Sequence, residues 1–484
     1  MAAIDLGASS GRVIVGTCSP GGFALHEVHR FPNAPVRAGS RLRWDVLGLF
    51  RGALDGLRAA TLQFGQLDAI GVDGWGVDYG LLDADGELLG NPISYRDVST
   101  EHAVRDVLNT VGAAALYEAT GIQLQPFNTL FQLLSRSESV QAQTARHAVL
   151  VPDLMTYWLS GTMGTEVTNA STTQLLDPRT LEWATSLAER LGVPVNLFPP
   201  LRQPGTQAGV LCAPLAAELG LGSQTEVITV ASHDTAAAIA GIPAQSPYFA
   251  YVCTGTWALV GLELPKPVIT EESRKANFTN EVGVDGSIRF LRNVTGFWLL
   301  QECVRSWQDS TVDLGALTRA AQDVPGMRAL IDVQQPTFAA AGEMPRRIIV
   351  AAERLSGVAP GSRAEIVRCI LDSMALAIRH AVRQAASLAG RRVDVVHVVG
   401  GGVSNTLFCQ LVADACGLPV IAGPAEAASW GNVMSQARAL GAVTDSLAEN
   451  RAIIRRAEQP ATYLPRGDER AWDRADRLIR EGGQ

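Results

Sequence analysis

The sequence predicts an α/β protein of two domains, each a mixed sheet flanked by helices. Three observations carry this. Short apolar runs stop at an Asp or a glycine turn and pass into helical periodicity. The theme occurs twice, before Gly7-Ala8-Ser9-Ser10-Gly11 and again before Gly255-Thr256. And 484 residues exceed what one ordinary core accommodates. The Pro-containing joint at 242–247 places the division between residues 1–242 and 243–484.

Taken in order, residues 1–4, 12–17 and 23–30 read as three strands joined by turns at 7–11 and 20–22. Residues 44–60 are helical, with Val46, Leu49, Phe50, Ala53 and Leu57 at i, i+3, i+4, i+7 and i+11. Residues 69–72 form a short buried strand, and 79–83 with 87–89 a hairpin around Asp85-Gly86. Three strands, a helix and a strand make the mixed sheet of an α/β domain. Residues 96–200 read as mostly helical, a lid or cap over a small-molecule site, with polar joints at Asn128-Thr129 and Thr168-Asn169. Residues 226–231 are a strand running into His233-Asp234. In the second half, 251–254 and 395–399 are strands, the latter followed by Gly400-Gly401-Gly402 and a helix from Thr406. Residues 364–388 form a long helix with Ile366, Ile370, Met374 and Ile378 on one stripe. A nucleotide is expected in the cleft between the halves.

Bulk composition excludes several classes. Charged residues are 18% and hydrophobic residues 47%, which is globular rather than disordered. A net charge of −8 argues against a nucleic-acid partner. No stretch approaches the roughly 20 apolar residues of a membrane span, and the N-terminus has no basic, cleavable leader pattern. A cytoplasmic protein with no membrane partner is expected; no oligomeric state is legible. The seven cysteines are scattered without CxxC or His/Cys ligand spacing, so reduced structural thiols are expected, with one oxidative pair left open. Cys409 and Cys416 lie two turns apart and cannot bridge within a straight helix.

The chemistry concentrates where apolar runs end in acids. Ala231-Ser232-His233-Asp234-Thr235 presents a carboxylate beyond a strand's carboxyl end, where α/β proteins bind ligands. Asp234 suits an alcohol: it orients the hydroxyl and accepts its proton as the bond to phosphorus forms. Its other use is to cap the helix that begins at Thr235-Ala236. His233 either donates to a substrate oxygen or is a satisfied structural histidine. Ala8-Ser9-Ser10-Gly11-Arg12 is either a phosphate cradle of backbone donors, hydroxyls and a guanidinium, or an ordinary strand–turn–strand. Gly400-Gly401-Gly402, between strand and helix, lets a purine or phosphate rest on bare backbone. Neither turn has a P-loop lysine or a GxGxxG pattern. Asp73-Gly74-Trp75-Gly76-Val77-Asp78 reads as a sugar-holding loop or as a core Trp at a hairpin. Asp5 either reaches Mg²⁺ through water or braces the first turn. Thr254-Gly255-Thr256-Trp257 and the polar positions in 293–301 have turn and cap chemistry as their ordinary reading.

In this order the motifs resemble the FGGY family of carbohydrate kinases, within the larger group that shares the actin-like ATPase core. The resemblance rests on residues 5–12, Trp75-Gly76-Val77-Asp78, Tyr95-Arg96-Asp97, residues 126–130 and residues 168–175. It continues through Ala231-Ser232-His233-Asp234-Thr235, Gly255-Thr256-Trp257, Trp298-Leu299-Leu300-Gln301, Val399-Gly400-Gly401-Gly402 and Ala422-Gly423-Pro424, so it covers essentially the whole chain. The Gly-Ala-Ser-Ser-Gly-Arg turn and the His-Asp-Thr motif are similar to the branch that acts on L-rhamnulose.

The resemblance implies two actin-like (ribonuclease H-like) domains, a sugar-binding one over 1–242 and a nucleotide-binding one over 243–484, with the active site in the interdomain cleft. It implies phosphorylation of the C1 hydroxyl of L-rhamnulose by ATP with Mg²⁺, giving L-rhamnulose 1-phosphate and ADP. By the same resemblance Ala8, Ser9, Ser10, Gly11 and Arg12 hold phosphates, and Thr256, Gln301 and Gly401 line the nucleotide site. Gly76, His233, Asp234, Thr235 and Asn293 meet the sugar, Asp234 as proton acceptor. No residue is assigned as a direct metal ligand. Gly74 stands where relatives usually have Thr, which implies a looser sugar-side loop, and Val412 and Cys416 stand where some relatives carry a cysteine pair. Two rival readings remain: a kinase for another ketose such as L-fuculose or D-xylulose, and a non-catalytic actin-type ATPase switch. Against the switch stand Asp234, aimed at an acceptor, and the Trp75 loop.

Overall fold

The alternation of Met1-Ala2-Ala3-Ile4-Asp5-Leu6 decides the architecture of the first half, because successive side chains of a strand point to opposite faces. In the computed structural model Ala2, Ile4 and Leu6 face a core that includes Leu49, Ala53 and Leu57. Met1 and Ala3 face a separate core with Trp430, Val433, Met434 and Ala437. Asp5 therefore lies on the second face, with the apolar residues that precede it. The structure describes residues 1–19, 22–97, 99–307, 313–467 and 469–482. The expected turn at 20–22 falls largely outside them.

Two compact units result: residues 1–243, 264–290 and 427–457 form the first, and 244–263, 291–426 and 458–484 the second. One break falls after Pro243, beside the joint read from the sequence, and two later segments group with the first unit.

The first unit is built on strands β1 (Ala2–Leu6), β2 (Ser10–Ser19), β3 (Gly22–Pro32), β4 (Ala69–Gly74), β5 (Thr206–Val210) and β6 (Glu226–Thr229). Their order in the sheet is β5-β6-β4-β1-β2-β3. β1 pairs antiparallel with β2 and parallel with β4, so the sheet is mixed as predicted. Helix α1 (Val46–Phe64) is capped by Asp45, whose carboxylate accepts from the Gly48 N–H at 3.1 Å. Its buried Leu49 and Leu57 each contribute about 1.5–3 kcal/mol by leaving water.

The predicted hairpin around Asp85-Gly86 forms. Asp83 accepts at the turn from the N–H groups of Asp85 and Glu87, the Asp83 and Leu89 N–H groups donate to Glu87 O and Leu81 O, and Leu82 bridges Leu88. The other edge of Tyr79–Leu82 ladders antiparallel with His147–Leu150, a strand inside the region read as helical.

The second unit carries β7 (Phe249–Thr254), β8 (Trp257–Leu264), β9 (Ile288–Thr295), β10 (Val395–Gly400), β11 (Val420–Ala422) and β12 (Ala461–Tyr463). The first residues of β9 group with the first unit. The order is β9-β8-β7-β10-β11-β12, again mixed: β7 is antiparallel to β8 and parallel to β10. Helix α3 (Arg363–Ala389) opens with a Ser362/Glu365 capping box and buries Ile366, Ile370, Met374 and Ile378, the stripe read from the sequence. Helix α4 (Thr406–Cys416) follows the Gly400–Gly402 turn. All seven cysteines are free thiols, and burial pushes those of Cys303, Cys369, Cys409 and Cys416 up to about 12.

Candidate functional site

Strand register assembles the acidic centre of the first unit. Asp5 on β1 is opposite Arg12 on β2 and opposite Asp73 on β4, so one row across the sheet reads Arg12, Asp5, Asp73. Arg12 donates to Asp5 Oδ2 from Nε at 2.9 Å and from Nη2 at 2.6 Å. That pair braces the first turn, one of the two uses open to Asp5. Asp73 accepts from Asn432 Nδ2 at 2.6 Å, while its Oδ1 is buried with no hydrogen-bond partner among the described residues. Burial, and then the charge of Asp5, push the Asp73 carboxyl well above the ordinary range.

The row is extended by the segment after β6. The Gly74 N–H donates to Ser232 O at 2.9 Å, and Gly74 bridges to His233. A Cβ on Gly74 would stand 2.9 Å from that of Leu6, so this segment is packed tightly rather than loosened by the missing Thr. Helix α2 (Asp234–Ala240) starts at Asp234, and its N-cap is His233. The carboxylate is thus not consumed as the cap. Asp234 Oδ1 accepts from Thr235 Oγ1 at 3.0 Å, and about a third of the side chain is open. Its low-polarity surroundings, and then Asp5, push its pKa up to about 7. A carboxylate so placed is poised to exchange a proton near neutrality.

His233 sits beside it, with Nε2 3.5 Å from Asp234 Oδ1. Its Nδ1 is 3.0 Å from Arg289 Nη2, and Arg289 Nη1 makes a 2.8 Å ion pair with Glu281 Oε2. Burial and then Arg289 hold the imidazole well below its ordinary pKa, so it is neutral. The backbone behind it is fixed by the buried Glu166, which accepts from the N–H and hydroxyl of both Thr168 and Ser232 and from the Asn169 N–H.

On the Trp75 loop, Asp78 is the organiser. It accepts from Trp44 Nε1 at 2.6 Å, Trp75 Nε1 at 3.1 Å, the Tyr95 N–H at 3.0 Å and Gln132 Nε2 at 2.8 Å. Trp44 packs on Trp75 with centroids 4.4 Å apart, and Trp44 also contacts Tyr95. Gly76 lies against Thr172, whose Oγ1 would be 2.8 Å from a Cβ there. Its backbone is half-buried, available to a ligand oxygen.

The first turn closes with the Gly7 N–H donating to Ser10 O and is tied to Asn33 through Ser9 O and Gly7 O. The hydroxyls of Ser9 and Ser10 have no partner among the described residues, Ser9 being exposed. Within the second unit, Thr256 Oγ1 and Gln301 Oε1 come to 3.4 Å. The Gly255-Thr256-Trp257 turn is held by the Phe297 and Trp298 N–H groups, which donate to Gly255 O and Thr256 O. Thr254 Oγ1 donates to Val399 O and accepts from the Gly402 N–H, which joins this turn to the Gly400–Gly402 turn. Gly400 has φ +84°, and its side-chain position is filled by Thr254 O. At Gly401 nothing lies within 4 Å of where a Cβ would point. Asn293 is half-buried on β9.

Sequence reasoning missed Glu281, Arg289, Glu166 and Asn432. The available signal was an ionisable residue inside an apolar run, as in Ile288-Arg289-Phe290, which structural ion pairs produce equally.

Comparison with known proteins supplies the wider context. Residues 1–241 match the N-terminal domain and residues 250–440 the C-terminal domain of the FGGY family of carbohydrate kinases. A rhamnulokinase of Bacteroides thetaiotaomicron is 40% identical, over 98% of this chain and 97% of that protein. One from Pectobacterium carotovorum is 41% identical, over 96% and 93%. Among solved structures, a gluconate kinase from Lactobacillus acidophilus superposes with a TM-score of 0.81 at 16% identity, covering 100% of this chain and 97% of that one. Glycerol kinase from Plasmodium falciparum, with ADP, gives 0.79 at 16% identity, covering 100% and 97%.

Proposed function

The chain belongs to the FGGY family of carbohydrate kinases, and from that premise we propose that it phosphorylates the C1 hydroxyl of L-rhamnulose. The observation that carries the reaction is Asp234, a carboxylate about a third open, its pKa pushed up to about 7, at the start of helix α2 beyond β6. The sugar rests on relatives named rhamnulokinase that are 40% and 41% identical over nearly the whole chain.

In this reading the C1 oxygen attacks the γ-phosphorus of ATP, and its proton passes to Asp234 as the new P–O bond forms. The bond from the γ-phosphorus to the β–γ bridging oxygen breaks and ADP leaves. Asp234 then returns the proton to solvent. Thr235 orients the base through its 3.0 Å hydrogen bond, and His233 faces the same sugar oxygens. Gly76 and Asn293 complete the sugar contacts. The turn from Ala8 to Arg12 receives phosphates on its backbone N–H groups and the unpartnered hydroxyls of Ser9 and Ser10, while Arg12 adds charge from its pair with Asp5. Thr256, Gln301 and Gly401 line the nucleotide site, Gly401 offering open backbone.

Kinases of this family use ATP with Mg²⁺. Among the described residues no group of three or more potential ligands is placed to hold a metal. Mg²⁺ keeps much of its water and needs one carboxylate at most, so we propose that it is carried on the ATP phosphates. Asp5, beside the unpartnered Asp73 Oδ1, supplies the negative charge for it. When bound, Mg²⁺ neutralises charge on the transferring phosphoryl group. No helix of the described residues is long and apolar enough to cross a membrane. A kinase that draws on ATP is suited to the cytoplasm, the location we propose.

The test is coupled ADP release with Mg·ATP and a panel of ketoses including L-rhamnulose, L-fuculose and D-xylulose. Selective turnover of L-rhamnulose is the expected result. Preference for another ketose keeps the mechanism and replaces the substrate. ADP release indifferent to every sugar would leave only an ATPase.

A further inference from the structure

We propose that Arg289 and Glu281 are positioning residues that lock His233 in one neutral tautomer, making it a hydrogen-bond donor to the sugar and leaving Asp234 as the only proton acceptor. The inference rests on the kinase reading for its consequence, but its geometry stands in the protein alone.

A guanidinium has donors only. Arg289 Nη2 lies 3.0 Å from His233 Nδ1, so that nitrogen must present its lone pair and carries no proton. The single ring proton is therefore on Nε2, the nitrogen 3.5 Å from Asp234 Oδ1. Arg289 has no freedom to leave. It is fully buried, its Nε donates to Val282 O at 3.0 Å, and its Nη1 pairs with Glu281 at 2.8 Å. Glu281 in turn neutralises a guanidinium that would otherwise be an unpaired buried cation.

The charged groups facing His233 are Asp234 on its own segment, Arg289 from β9 and Glu281 from the strand Thr279–Val282. Glu281 Oε2 is 3.6 Å from Nδ1, close enough to hold a proton there were the arginine absent. With Arg289 present, protonating Nδ1 would set an imidazolium against a guanidinium. Without it, the imidazole would pair with Glu281 as a cation, or take the Nδ1–H tautomer and turn a lone pair toward the base. In either case two proton acceptors or a displaced charge would compete at the reacting hydroxyl. The ion pair thus specifies which group is the base.

Two measurements test this. The first is ¹⁵N NMR of histidine-labelled enzyme without ligands, His233 being assigned by loss of its signal in His233→Gln. The expected result is an unprotonated Nδ1 and a protonated Nε2, unchanged from pH 6 to 8. A protonated Nδ1, or titration within that range, overturns the proposal. The second is Arg289→Met, which keeps length and removes the donors. In that variant the Nδ1 signal should change protonation state. kcat should fall about tenfold to a hundredfold, the range seen when the orienting partner of a functional histidine is lost. A second ionisation near the ordinary histidine value of about 6.5 should enter the pH–rate profile, while Arg289→Lys should retain the single ionisation. A pH profile and tautomer untouched by Arg289→Met would refute the assignment. If the Met variant does not fold, the wild-type spectrum alone decides. Should no ketose be turned over, the kinase reading fails while the tautomer result stands on its own.

Discussion

At the scale of single residues, the molecule's chemistry turns on one carboxylate held far from its usual behaviour. Asp234 has its pKa raised to about 7, mostly by burial and then by Asp5. Two consequences follow from the same shift. The base must be unprotonated to accept a proton, so kcat/KM should rise with pH through about 7 and level off above it. Asp234→Asn should remove that limb and lower kcat by roughly 10²–10⁴, the scale of a lost general base. Stability runs the opposite way. A carboxyl whose pKa is higher folded than unfolded contributes stability that is complete below about 3.9 and lost as pH rises through its folded value. Asp234→Asn should therefore melt above wild type at pH 8 and lose that advantage below pH 4. A variant that is less stable at pH 8 would show that the carboxylate is not strained by its surroundings. Activity and stability moving in opposite directions is the mark of a functional charge, and a purely structural Asp would lose both.

At the scale of elements, the site depends on how closely helices approach. Helix α2, which begins with Asp234, packs on the helix Ala427–Ala439, whose Asn432 holds Asp73. The contact is made through glycine on each side. A Cβ on Gly431 would stand 1.9 Å from Ala237 O, and one on Gly241 would stand 2.1 Å from Ala427 O. Both obstacles are backbone, which no rotamer change relieves. Gly431→Ala gains about 1 kcal/mol of helix propensity but meets an overpacking penalty of about 3 kcal/mol, so a net loss of about 2 kcal/mol is expected. Because the displaced element carries the base, kcat should fall as well. Gly401→Ala is the counterpart on the other unit. Nothing lies within 4 Å of its Cβ position, so the melting temperature should barely move. If ATP rests on that turn, KM for ATP should rise. Thermal melts and steady-state kinetics of both variants check the pair; equal melting temperatures for Gly431→Ala and wild type would mean that the helices part easily.

At the scale of the whole molecule, what the sequence reveals is set by the range of the interactions involved. Strand and helix identity is local, so the three opening strands, α1 and the Ile366–Ile378 stripe of α3 were readable from periodicity. The acids at strand ends were readable too, because an Asp that interrupts an apolar run is a local anomaly. Pairing between distant segments leaves no such trace. His147–Leu150 joined the other edge of the hairpin strand, and Arg289 and Glu281 reached His233 from some 50 residues further along the chain. The same limit applies to the division after Ile242. The core formed by Met1, Ala3, Ala69, Ile228 and Val230 is closed by Trp430, Val433, Met434 and Ala437, which lie near the other end of the chain. Residues 1–242 on their own would expose that apolar face and strand Asp73 without Asn432 and His233 without Arg289. Burial of a side chain the size of Val433, Met434 or Trp430 is worth about 1.5–3 kcal/mol, and losing these three, with the methyl of Ala437, approaches the 5–15 kcal/mol by which a domain is stable at all. A fragment of residues 1–242 should accordingly bind a hydrophobic dye and show no cooperative melt. Supplying residues 264–290 and 427–457 through short linkers should restore a cooperative transition. A sharp melt from 1–242 alone would show that the first unit is complete without its later segments, and that the helix Ala427–Ala439 merely rests on a core already formed.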